Sequence, residues 1–383
     1  MYLKLRVVSI KDKIFFVIYI LYGILSVINW SQYENKIVNF NNLYIIFQIV
    51  FSIILFTIFL FSNNHSAFEL IVGSSCTLYL MYVTYVSKDP MLLMFVTFFM
   101  ASKNINYRQL FRIDIVFKIL SLMFIYFSYR LGYLENLELL RSTGRIRQTF
   151  GFNYPTYLMY MIMIIGIEWI IIRNKNITFW EIVIITLIGI LIGHITDARG
   201  ELVTLLIVCL GTLLINKVGL ISGKFINTHK ILFVILPEVI CVISYIFVLC
   251  IKNTNSWYMI INKFTSSRLN IFQYYLEEYS VRLLPRNLNL NYLSGNGSWI
   301  NVIDNSYLYL GIVLGLLSLF IYLFIFSFLI KKAIENSQYT LLIIMVAYMV
   351  LNMVEYVSLS PVIALYCITW QENKSLCIDK KRN

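Results

Sequence analysis

The feature that most constrains this chain is a series of apolar runs, each close to bilayer-spanning length, recurring from Ile14 to Trp370. A hydrocarbon core about 30 Å thick takes roughly twenty apolar residues as a helix. Within lipid every backbone N–H and C=O must be satisfied internally, so a span is a helix or a strand of a closed barrel. Barrel strands alternate polar and apolar residues over short segments, and these runs do not. The expected fold class is therefore all-α, a polytopic integral membrane protein. About twelve candidate spans can be drawn: Ile14–Trp30, Leu43–Phe61, Ala67–Val86, Pro90–Ala101, Ile113–Tyr133, Pro155–Ile172, Phe179–Ile195, Glu201–Ile215, Ile231–Ile251, Tyr307–Ile330, Thr340–Val357 and Pro361–Trp370. The fourth and twelfth are short for a full crossing, which puts the count between about ten and twelve. Composition agrees: 60% of residues are hydrophobic and 13% are charged, unlike the polar surface of a soluble multidomain chain. The expected organisation is one membrane domain over residues 1–383.

Lysine and arginine set the expected orientation, because cytoplasmic loops carry the excess. The start, MYLKLRVVSIKDK, is cationic and lacks a small-residue cleavage site, so it reads as the flank of a retained first span with its N-terminus inside. With that orientation, more than half of the 31 Lys and Arg residues fall on cytoplasmic segments, among them Lys103, Arg108, Arg112, Arg173, Lys175, Lys331 and Lys332. Two outer regions break the rule: the loop after the fifth span, and the loop at 252–306, between the ninth and tenth. Long loops obey the rule weakly, so the exception is sharper for the first. The cytoplasmic loops are short and hold no Gly-rich phosphate loop and no CxxC pair. An ATP-driven pump is therefore not expected. The six cysteines mostly sit in apolar runs and read as small core residues rather than disulfides or metal ligands. No cofactor, metal or nucleic-acid partner is expected; the bilayer is.

The first exceptional loop is RSTGRIRQTFGFNYP, Arg141 to Pro155. Its arginines Arg141, Arg145 and Arg147 precede Gly151, Asn153 and a proline placed where a helix would open. Proline is favoured at the first helical turn, and a helix N-terminus presents unpaired N–H groups and positive potential. Arginines beside such a terminus suit a phosphate; the alternative is a cationic juxtamembrane loop. A tight outer turn between the seventh and eighth spans holds Asp197 and Arg199, which can also form a local ion pair. In the long outer loop, apolar residues recur near the helical period from Trp257 to Leu284, as in an amphipathic helix. Arg268 and Arg282 share one face of it but would lie roughly 21 Å apart on a continuous helix. Asp304 and Asn305 precede Tyr307 and the tenth span, where Asp304 can act as an N-cap or at a site. Asp114 and Lys118 are placed to pair on one helix face. Glu168 and Glu238 read as isolated. Glu355 falls near the outer end of the eleventh span, level with the arginine-rich loops.

Arginines, aromatic residues and one or two acids on an outer face suit an anionic lipid substrate. Arginine binds phosphate bidentately and keeps its charge in a low dielectric, and Tyr and Trp stack on sugars and favour the interface. For sugar transfer, an arginine-bound diphosphate is a good leaving group, and a carboxylate at the acceptor hydroxyl can serve as general base.

These residues resemble a known family. Arg145-Ile-Arg147-Gln-Thr-Phe-Gly151-Phe-Asn153-Tyr-Pro155 is similar to the "R…GF.NPN" signature of O-antigen and capsular polysaccharide polymerases, in the O-antigen ligase superfamily. Thr196-Asp197-Ala198-Arg199 resembles the family's S-R turn, Ser267-Arg268 its "GR" segment, and Asp304-Asn305-Ser306-Tyr307-Leu308 its "DN.YL". The resemblance covers about residues 140–315. It implies a GT-C-like, metal-independent glycosyltransferase that polymerises undecaprenyl-diphosphate-linked repeat units on the outer face of the cytoplasmic membrane. It also implies a flippase and a chain-length regulator as partners. By position, Arg147, Arg199 and Arg268 match diphosphate-binding arginines. Asp304, Arg268 and Arg147 are the catalytic candidates; Arg141, Arg145, Asn153, Arg199, Arg282, Asn305, Tyr307 and Glu355 are the substrate-binding ones. Asp304 stands where ligase members carry a histidine, which favours polymerase over ligase, and Tyr154-Pro155-Thr156 departs from the usual Asn-Pro-Asn. A lipid-linked oligosaccharide flippase and a ligase-type transferase remain the alternatives.

Overall fold

A helix whose interior is uniformly apolar gains nothing from exposure, and such helices dominate the chain. The computed structural model describes residues 10–61, 65–140, 145–218, 223–250, 258–259, 262, 268–288, 290, 292–293, 299–300 and 302–356. In order the helices are α1 (Ile10–Trp30), α2 (Phe40–Phe61), α3 (Ala67–Ser87), α4 (Met91–Ala101), α5 (Tyr107–Arg130), α6 (Pro155–Arg173), α7 (Phe179–Thr196) and α8 (Arg199–Leu213). Then come α9 (Gly223–Thr228), α10 (Lys230–Val234), α11 (Leu236–Cys250), α12 (Arg268–Glu278), α13 (Ser306–Tyr309), α14 (Leu316–Glu335) and α15 (Tyr339–Leu351). Among the described residues, seven helices are long and apolar enough to cross a membrane: α1, α2, α3, α6, α7, α8 and α14, with α6 counted through the tight turn to Asn176 and α8 through the wider turn to Asn216. The expected twelfth run, Pro361–Trp370, lies outside the described residues.

Local chemistry sets the helix starts. Ser66 and Glu69 form a capping box at α3, as Thr178 and Glu181 do at α7, each satisfying two N–H groups left over by the first turn. Pro155 opens α6 at its first turn, as the sequence predicts.

Four of the expected spans are shorter or divided in the structure; the eleventh, drawn to Val357, is the 13-residue α15, which ends at Leu351. The fourth is only α4, 11 residues long and buried throughout from Leu92 to Ala101. At 1.5 Å per residue it extends about 16 Å, and it packs between α2 and α3. The ninth is divided at Ile235 into α10 and α11, with Pro237 in the first turn of α11, because proline has no N–H to continue the ladder. The tenth is divided at Gly315, which adopts φ 87° and ψ 154°, a region essentially closed to other residues.

Consecutive helices run up and down, so their ends sort into two sets. At one end Lys11 donates to the Lys103 carbonyl (3.0 Å), Lys103 pairs with Glu69 (2.8 Å), and Lys230 pairs with Glu335 (3.0 Å). The other end gathers the turn after α1, Asp89, residues 131–140 and 145–154, Asp197, the start of α12 at Arg268, the residues just before α13 and those just after α15. Asp89 there accepts hydrogen bonds from Tyr309 (2.7 Å) and Tyr356. Between the ends, Asp114 and Lys118 pair on α5 as expected. Glu168 is not isolated: Lys118 also reaches it from α5 to α6 at 2.9 Å, and Tyr19 of α1 donates to Asp114 at 2.5 Å. Glu238 likewise has a partner, Ser327, at 2.8 Å.

Candidate active site

Arg147 lies on a two-stranded hairpin, β1 (Glu138–Leu140) and β2 (Ile146–Gln148), opposite Leu139. Beyond it the chain reverses through Phe150 (φ 49°) and Gly151 (φ 89°) and lies along the end of α1. Gln32 N–H donates to the Gly151 carbonyl (3.0 Å) and Asn153 N–H to that of Trp30 (2.9 Å). The Asn153 amide donates to Glu34 at 2.6 Å. This strap holds the hairpin over the bundle, and Arg147 Nε donates to the Thr196 carbonyl at the end of α7, 2.9 Å away.

Thr196 leads into the turn that carries the second arginine. Asp197 ends α7 in the left-handed conformation, and α8 begins at Arg199. Arg199 Nε lies 3.2 Å from the Asp197 carboxylate, so the local ion pair forms. Gly200 follows, and a Cβ there would stand 3.3 Å from Leu351 and Val354 and 3.6 Å from Glu355. A glycine thus allows the segment after α15 to approach the start of α8.

The third arginine, Arg268, opens α12. Its Nε is 2.8 Å from Asp304 and its Nη1 2.7 Å from Glu355, and Nη1 also donates to the Val354 carbonyl. Burial works against the charge on this guanidinium, but Asp304 and Glu355 outweigh it and raise its pKa above the ordinary value. Burial in turn raises the Glu355 carboxyl, with Arg268 opposing and Asp304 adding to the rise.

The three arginines share one cavity of about 480 Å³ with Asp197, Asn305 and Glu355. The rest of its wall is mainly apolar, with Val203 of α8, Phe247 and Val248 of α11, Leu269 and Phe272 of α12, and Leu351 of α15. Asp304 reaches this site through Arg268. Asn305, not Asp304, caps α13: its side chain accepts from Leu308 N–H at 3.1 Å and donates to Ser244 at 2.7 Å. The difference is one of register, since a cap must reach the N–H two or three residues on.

Other expected site residues lie elsewhere. Arg145 is largely exposed, 3.9 Å from Asp197 at the rim. Asn153 belongs to the strap. Tyr307 is fully buried and donates to the Met349 carbonyl at 2.9 Å. Arg282 is exposed beyond the end of α12, its carbonyl accepting from Leu316 N–H at 2.8 Å; Arg268 and Arg282 therefore do not share a helix. The amphipathic pattern holds over α12, where Leu269, Phe272 and Tyr275 are buried, and α12 packs against α11. Arg141 lies outside the described residues.

Sequence reasoning missed Glu201, in the first turn of α8. It is 1% exposed, neither carboxyl oxygen has a hydrogen-bond partner in another described residue, and the charges that act on it most are Glu355, then Arg268 and Arg147. An acid opening an apolar run was the available signal.

The cavity can hold an anion at its arginines while an apolar group lies against α8, α11, α12 and α15. No family description, curated protein or solved structure matches the chain.

Proposed function

We propose that the protein is a polysaccharide polymerase: a membrane glycosyltransferase that joins undecaprenyl-diphosphate-linked repeat units at the outer face of the cytoplasmic membrane. One observation carries this reading. Arg147, Arg199 and Arg268, far apart in sequence, meet in a single cavity whose remaining wall is largely apolar. Such a wall suits a lipid, and three guanidiniums suit its diphosphate, which they can grip with paired N–H donors. We read the chain as crossing the bilayer about ten to twelve times, with the arginine end outside.

In the reaction an acceptor hydroxyl attacks the anomeric carbon, the bond to the diphosphate breaks, and the diphosphate departs with the electron pair. Negative charge then grows on oxygens already facing the arginines, where fixed cations act without reorganising. Asp304 and Glu355, both on Arg268, are the candidates for general base.

The test is the surface polysaccharide of cells producing Arg147→Ala, read on a gel at matched membrane protein level. Removing one preorganised charge-stabilising group slows such a step by about a hundredfold. Long chains should therefore disappear while single repeat units accumulate outside. Repeat units trapped inside would instead indicate a flippase, and an unchanged ladder would remove Arg147 from the site.

A further inference from the structure

Arg268 carries two carboxylates, and they are not equivalent. Asp304 holds Nε from a half-exposed position and is not part of the cavity wall. Glu355 is buried, lines the cavity, and holds Nη1, on the terminal edge with which a guanidinium grips a phosphate. A diphosphate and Glu355 therefore compete for the same donors. Building on the polymerase reading, we propose that the donor diphosphate displaces Glu355 from Arg268, and that the released Glu355 carboxylate is the general base for the acceptor hydroxyl.

The proton balance is simple. Glu355 takes the hydroxyl proton as the new glycosidic C–O bond forms, and the diphosphate keeps the electrons of the bond it loses. Glu355 gives the proton to water once the diphosphate has left and Arg268 takes the carboxylate back.

The surroundings suit this exchange. The charged groups that bear on Glu355 are Arg268 from α12, Asp304 ahead of α13, Arg147 from β2 and Glu201 from α8. Burial raises the Glu355 carboxyl, and Arg268 is the largest influence holding it down. Once the guanidinium turns to a diphosphate, that restraint weakens and Glu355 becomes a stronger base, closer to the value at which a base works at neutral pH. The same step keeps the base inactive until the donor is bound. Glu355 follows the end of α15 rather than lying within it, and it lines the cavity that the diphosphate would enter.

Glu355→Gln separates this role from a structural one. Glutamine keeps the shape but neither competes for Arg268 as an anion nor accepts the proton. The purified full-length variant should bind farnesyl diphosphate, used as the probe, several-fold more tightly than wild type at pH 7.5. The advantage should vanish in acid, where wild-type Glu355 is itself neutral. In cells the same variant should yield single repeat units only, and Glu355→Asp should restore part of the long-chain product. If Glu355→Gln gives wild-type chains, Glu355 is not the base. If it binds the probe no better than wild type, or loses binding, the exchange is wrong and the residue only supports Arg268. A strain lacking the whole protein provides the separate control. If its chains are unaltered, the polymerase reading fails; if they shorten while Glu355→Gln does not shorten them, only the inference fails.

Discussion

Gly315 shows how one residue can decide the course of a helix. Its φ of 87° is open to glycine alone at that ψ, and a Cβ there would stand 2.7 Å from the Leu283 carbonyl oxygen and the Leu284 carbonyl carbon. Backbone atoms cannot swing aside as a flexible side chain can. Leu316 and Leu317 also donate to the Arg282 and Leu283 carbonyls, at 2.8 and 3.3 Å, so the chain after α12 is fastened where α14 begins. Gly315→Ala should therefore lower stability by about 1–3 kcal/mol, seen as a lower unfolding midpoint in detergent. By contrast Gly132, also at positive φ, has nothing near its Cβ position, so alanine there meets only the backbone cost. A Gly315→Ala protein as stable as Gly132→Ala would show that the close carbonyls yield.

At the scale of elements, three helices are tied together in the interior by an ionic cluster. Lys118 of α5 serves Asp114 on its own helix and Glu168 on α6, while Tyr19 brings α1 to the same carboxylate. Removing the one cation leaves two carboxyls without it in a buried site. Lys118→Met should cost about 3–5 kcal/mol. Replacing all three charges with apolar residues of similar size should recover much of that loss, since a buried ion network is worth little against good packing. A triple variant no more stable than Lys118→Met, by unfolding in detergent, would mean that the network also fixes the helix arrangement. Only half of this tie was legible in the sequence. Asp114 and Lys118 are four apart, so their contact follows from helix geometry, whereas Glu168 lies fifty residues away and needs the packing of α5 on α6. The site divides the same way. Arg147, Arg199 and Arg268 stood out because arginine is costly beside apolar runs, and Glu355 because it closed one. Asn153 shared their motif but serves the strap, Tyr307 points into the core, and Glu201 resembled an ordinary acid at a helix start. The length of the apolar runs located the spans; it had no means to show that two of them divide, near Pro237 and at Gly315.

For the whole molecule, the two ends of the bundle carry different chemistry, and that sets which way it should sit. The end with Lys11, Lys103, Arg173 and Lys230 meets the rule that cytoplasmic loops are cationic, with carboxylates Glu69, Glu181 and Glu335 pairing three of them. The opposite end holds Arg147, Arg199 and Arg268 against a cavity with carboxylates beside them, while Arg145 and Arg282 stay exposed. Orientation should follow the first end inward. Tyr133 is 63% exposed at the cavity end, and Lys175 is exposed at the other. In a background without the six native cysteines, Tyr133→Cys should react with a membrane-impermeant maleimide on intact cells. Lys175→Cys should react only after the membrane is opened. The reverse pattern would put the three arginines in the cytoplasm. A polymerase acting on exported repeat units could not work there, and the cavity would have to be read as a site for a cytoplasmic anionic lipid.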